Sequence, residues 1–136
     1  MSWACQKCGR RFLRVNQRHA CGTGSGEMLL RDRSKSLANL YRRLERTVRA
    51  FGEVEVVTRN RYALFRTTRI FADLTVTRHA LRVVVHLPRR VNDPCFLKAG
   101  PSGKRVSHVA FVATQRDLRA IMPYVREAYE LTAGEA

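Results

Sequence analysis

The sequence predicts an α+β fold: an antiparallel sheet of about five strands, flanked by an N-terminal and a C-terminal helix and preceded by a small zinc-ribbon-like segment. Three observations carry this expectation. Apolar residues recur at helical spacing near both ends of residues 34–131. Short runs rich in Val, Thr, Phe and Ile lie between them. A Cys-x-x-Cys pair with a following His-x-Cys occupies the first 24 residues.

In the first helix, Leu37, Leu40, Tyr41, Leu44, Val48 and Phe51 form one stripe. Ser34 or Ser36 can cap its start, because a side-chain oxygen there accepts from an otherwise unpaired N–H. Gly52 stands where the helix ends. Strands are expected at Val54–Thr58, Tyr62–Thr67, Ile70–Thr77, Ala80–Leu87 and Val106–Thr114, with turns at Asn60 and at Arg78-His79. Their close spacing suits an antiparallel meander, since parallel strands need long crossovers. Pro88 to Arg105, rich in Pro and Gly, reads as a long loop. The last helix starts at a capping box of Thr114 and Asp117. Leu118, Ile121, Met122, Val125, Ala128 and Tyr129 form its stripe, and Pro123 inside it should kink or split it. The chain thus divides into a zinc-binding segment (1–24), a linker (25–33), the α+β domain (34–131) and a tail (132–136).

No run approaches the roughly 18 apolar residues of a membrane helix. The longest, Leu81 to Leu87, is interrupted by Arg82 and His86. The first residues lack the apolar core of a signal peptide, so a cytoplasmic location is expected, with no membrane partner.

Charge is the strongest global feature: 26 Lys and Arg against 11 Asp and Glu give a formal +15. Such an excess attracts polyanions. The lysines are Lys7, Lys35, Lys98 and Lys104, and all other basic residues are arginines, whose planar fork matches phosphate in a bidentate way. A codon bias would explain Arg over Lys but not the excess over acids. Nucleic acid, DNA or RNA, is therefore the expected partner.

Cys5, Cys8, His19 and Cys21 are the expected ligands of a structural Zn2+. The first pair grips one edge of a tetrahedron, and His19 with Cys21 supplies the other. About 24 residues bury too little surface to fold alone, so metal binding would supply the folding free energy, with Trp3 and Phe12 as the packing. Four protein ligands leave no open position for water, which makes the zinc a scaffold and not a catalyst. A redox pair at Cys5 and Cys8 and a disulfide framework are the alternatives. Cys95, in the long loop, reads as an ordinary or buried thiol and not as a ligand.

Arg10, Arg11, Arg14 and Arg18 surround the metal site, and Arg59, Arg61, Arg66 and Arg69 form a second cluster. Both are candidate phosphate contacts. A third cluster, Arg42, Arg43, Arg46 and Arg49, ranks lowest, because charge on an outer helix face is ordinarily solvation. No Walker loop, GxSxG elbow or acidic nuclease cluster is present, no catalytic residue is assigned and no small-molecule substrate is evident. His86 and His108 could meet on one sheet face, and with Asp73 in a basic cleft they would favour a phosphodiester-cleaving enzyme. A protein–protein adaptor docking on an acidic partner is the other alternative.

The run CQKCGRRF…NQRHAC resembles the zinc-ribbon-like segment found before a DUF5655 domain. Tyr62…Phe65-Arg66, Ile70-Phe71-Ala72-Asp73-Leu74, Leu81-Arg82-Val83 and Arg126-Glu127-Ala128-Tyr129-Glu130 extend that resemblance over roughly residues 3–130. The resemblance implies an α+β domain and brings no catalytic residues. Related domains appended to proteins that look like DNA-transaction factors mildly favour nucleic acid.

Overall fold

The computed structural model describes residues 3–6, 11–16 and 26–134. Two short strands, β1 (Trp3–Ala4) and β2 (Arg11–Phe12), pair antiparallel at the N-terminus. Helices α1 (Gly26–Leu30) and α2 (Lys35–Arg49) follow. Six strands come next: β3 (Glu55–Thr58), β4 (Tyr62–Arg66), β5 (Ile70–Val76), β6 (Leu81–Leu87), β7 (Lys98–Ser102) and β8 (Arg105–Val112). Helix α3 (Gln115–Ala133) closes the unit. The main sheet is antiparallel throughout, in the order β3-β4-β5-β6-β8-β7.

The helices form where their caps satisfy the first N–H groups. Ser34 accepts from Leu37 N at 3.2 Å. Thr114 and Asp117 make the full capping box. Helix α3 crosses β5, β6 and β8, and α2 packs beside it. Tyr41, Leu44 and Val48 of α2 and Ile121, Val125 and Ala128 of α3 meet Leu74, Leu81, Val83, Val85 and Val112 in one core. The sheet is thus covered by these helices on one face. Its other face carries Tyr62, Leu64, Arg66, Asp73, Thr75, Arg82, Val84, His86, Ser107, Val109 and Phe111.

Four expectations change. The sheet has six strands, because Lys98–Ser102 pairs with β8 inside the stretch read as a loop. Pro101 is tolerated there because β7 is an edge strand, where a missing N–H breaks no internal ladder. The stretch read as linker holds α1, whose Leu29 is fully buried in the core. Helix α3 runs uninterrupted through Pro123, an exposed position flanked by the buried anchors Ile121 and Val125. His86 and His108 lie on opposite faces: His86 sits opposite Ser107, whereas His108 sits opposite Val85, which faces the core.

A β-bulge between Phe65 and Arg66 shifts the β4–β5 register, so Arg66 pairs with Ile70 and Phe65 with Ala72. The extra residue, Phe71, turns into the core and meets the Tyr129 ring edge-on at 5.7 Å. Among the described residues, no helix is long and apolar enough to cross a membrane.

Candidate nucleic-acid interface

One end of the open face is a cleft of ≈ 890 Å³ between the sheet and the N-terminal hairpin. The β4–β5 turn brings Arg69 to it, β4 brings Arg66, and Leu13 and Arg14 close it from the N-terminal segment. The β7–β8 hairpin supplies Lys104 and Arg105. Gly103 has φ +61° and Lys104 does not, so positive φ is confined to the first loop residue, as a type II′ turn requires. That turn projects Lys104 at its tip.

His86 lines the same cleft. Its Nε2 lies 3.0 Å from Asp73 Oδ2 and its Nδ1 2.9 Å from Ser107 Oγ. With the imidazole neutral, Nε2–H donates to the carboxylate and Nδ1 accepts from the hydroxyl. The three groups come from the adjacent strands β5, β6 and β8: Ser107 stands directly opposite His86, and Asp73, opposite Val84, reaches His86 on the diagonal.

Arg66 joins the hairpin to the sheet. It is 3% exposed and donates to Arg11 O at 2.7 Å and to Thr68 O at 3.0 Å. Its guanidinium lies 4.2 Å from the centroid of the buried Phe12 ring and 3.5 Å from the Glu55 carboxylate. Trp3 stacks on Phe12 at 5.9 Å, the aromatic packing expected of this segment.

The sequence-predicted residues therefore divide. Arg14, Arg66 and Arg69 meet at the cleft. Arg59 and Arg61 flank the β3–β4 turn at the opposite end of β4, and Arg59 donates to Thr58 O at 2.8 Å. Arg11 lies on β2. Arg10 and Arg18 lie outside the described residues, as do Cys8, His19 and Cys21 of the expected zinc ligands. Cys5 is buried beside the hairpin. Lys104, Arg105 and His86 were not among the residues assigned to binding. The Gly103-Lys104 pair at a hairpin turn was the available signal for the first two.

His108 and Cys95 have structural partners. Fully buried His108 accepts from Val91 N at 2.9 Å through Nε2 and donates to Val106 O at 3.1 Å through Nδ1. Burial, helped by the Asp93 carboxylate, pushes the Cys95 thiol up to about 12, which keeps it protonated near neutral pH. Tyr124 donates to Asp93 at 2.6 Å, which pins the 88–97 segment to α3.

The model for the domain of unknown function DUF5655 matches residues 27–132. The chain belongs to the DUF5655 family. The matched region starts within α1 and takes in the six-stranded sheet and nearly all of α3. No curated protein and no solved structure matches the chain.

Proposed function

We propose that this protein binds nucleic acid through the cleft and uses a structural zinc to order the N-terminal segment beside it. One observation carries the reading. Arg14, Arg66, Arg69, Lys104 and Arg105, from three separate segments, line one cleft. The neighbouring carboxylates are engaged, Asp73 by His86 and Glu55 by Arg66. A concave surface lined by one sign of charge concentrates polyanions. Arg66 acts here as a positioning residue, while Arg69, Lys104 and Arg105 are the phosphate contacts. Cys5 with Cys8, His19 and Cys21 would hold the zinc, and its four-ligand shell suits a scaffold.

The test is binding of labelled DNA and RNA at low and moderate salt. Affinity should fall steeply with salt, and Arg69→Ala or Lys104→Ala should each flatten the salt slope by about 1. Absence of binding to both nucleic acids at low salt would sink the reading. Metal analysis should give about one zinc per chain, lost in Cys5→Ser. A metal-free chain that binds equally well would place the function on the sheet alone.

Cleavage of phosphodiester bonds is a second reading, favoured by the Asp73–His86–Ser107 chain at the cleft. Asp73 would hold the imidazole while His86 moves a proton at the scissile group. RNA and DNA left intact by the wild type, or cut equally well by His86→Ala, would remove it.

A further inference from the structure

The open face of the sheet carries a second feature, away from the cleft. The register places Tyr62 opposite Thr75, Thr75 opposite Arg82, and Arg82 opposite Phe111. These four side chains form one row across β4, β5, β6 and β8, on the face opposite the helices. Tyr62 is 42% exposed and Phe111 46%. Both rings thus offer surface to solvent on a face that also presents Arg82 and Lys98. The two acidic side chains that the paired strands place on this face, Glu55 and Asp73, are engaged with Arg66 and His86.

We propose that this row is a stacking platform for single-stranded nucleic acid, with Tyr62 and Phe111 each receiving a base and Arg82 between them meeting the backbone. The proposal rests on the nucleic-acid reading and names the form of the ligand. Three strand spacings of about 4.8 Å put the two side chains about 14 Å apart. That is too far to sandwich one base, since two van der Waals gaps of about 3.5–4 Å put flanking rings about 7–8 Å apart, so each ring serves a different nucleotide. Thr75 is short and leaves room beside Tyr62 for a base to lie flat. Bases in a duplex are already stacked on each other and cannot reach a sheet surface this way, whereas unpaired bases can. The row lies four residues along β6 from His86, about 13 Å at strand rise, so one extended strand can cross the platform and place phosphates in the cleft.

The experiment is fluorescence anisotropy with a labelled 12-nucleotide oligo-dT, a 12-nucleotide oligo-U and a 12-base-pair duplex at low salt, on the full chain. The wild type should prefer the single strands. Tyr62→Ala and Phe111→Ala should each weaken single-strand binding by about tenfold, leave duplex binding unchanged and keep the thermal midpoint. Tyr62→Phe and Phe111→Tyr should restore binding, because a ring is all that stacking needs. Arg69→Ala should weaken single strand and duplex together. Equal affinity for both forms, or single-strand binding indifferent to the two alanine variants, overturns the platform and leaves the cleft reading intact. Binding to none of the three probes overturns both.

Discussion

Truncating Arg66 should detach the N-terminal hairpin before it unfolds the domain. In Arg66→Ala the guanidinium's bonds to Arg11 O and Thr68 O disappear, as does its contact with Phe12. Hydrogen bonds from a charged group contribute about 1.5–3 kcal/mol each, and a cation–π contact about 1 kcal/mol. Removing the ion also removes the cost of keeping it out of water, several kcal/mol, which offsets much of that sum. Glu55, left behind, keeps 28% of its side chain exposed, although the oxygen that faced Arg66 is buried. The net loss should be about 2–4 kcal/mol, concentrated on the hairpin. Trp3 is the chain's single tryptophan and stacks on Phe12. Its emission therefore reports the hairpin, while far-UV circular dichroism reports α2, α3 and the sheet. In urea, the Trp3 transition of Arg66→Ala should precede the dichroism transition, whereas wild type should show a smaller gap. Arg66→Met keeps the stem over Phe12 and should lose less. Coincident Trp3 and dichroism midpoints at wild-type values in Arg66→Ala would refute the view that this cation joins the two parts.

Three further outcomes are expected. Leu29→Ala should cost about 2–5 kcal/mol by urea denaturation, because Leu29 is fully buried; a loss within ~0.5 kcal/mol would show that α1 does not belong to the core. Gly52→Ala should cost about 1–3 kcal/mol: φ is +154° and the new Cβ meets the Tyr129 hydroxyl. Rings of Phe51 and Phe71 flank Tyr129 at 5.6 and 5.7 Å and hinder its retreat, so Tyr129→Phe in the same chain should recover part of the loss, and no recovery would place the cost in the backbone alone. Hydrogen bonds from the Ala113 backbone, with smaller help from Thr114, hold the Asp117 carboxyl below its usual range. Its folded-state value is thus below the unfolded one, so the stabilisation is present above the ordinary carboxylate range and is lost as pH falls through the lowered value. Asp117→Asn should cost about 0.5–1 kcal/mol near neutrality, and the gap in thermal midpoint from wild type should narrow below about pH 4; a gap constant with pH would contradict the assignment.

The helix caps and five strands were legible because each has a local signature. Ser34, Thr114 and Asp117 act at the positions their chemistry suggests. Strand ends came within about two residues because short runs rich in Val, Thr, Phe and Ile alternate with turn residues such as Asn60 and Arg78-His79. Strand β7 was illegible because Gly100 and Pro101 weaken any strand signal, and only pairing with β8 rescues it. Helix α1, five residues after a glycine-rich stretch, is too short to show a period. The bulge at Phe71 has no sequence mark. The cleft was half visible. Clustered arginines were plain, but which of them meet depends on strand length: Arg61 and Arg66 lie at opposite ends of β4. A shared face for His86 and His108 stayed open because spacing does not reveal register, and a one-residue offset turns a side chain to the other side.

The strand order has a kinetic consequence. From β3 to β6 the chain advances by adjacent hairpins, each pairing as soon as it is made. After β6 it leaves an empty place, builds β7 at the margin, and only then returns with β8 to fill the gap. The β6–β8 pairing joins Leu87 to Val106 at its near end and Leu81 to Val112 at its far end, the longest closure in the sheet and the natural slow step. Ser107 and Phe111 both ride on that last-inserted strand. During synthesis, the Ser107 partner of His86 and the second ring of the row come into being together, when β8 slots home. A chain halted before Arg105 would carry many of its arginines but would lack both β8 and the helix that covers the sheet, so neither surface would be complete.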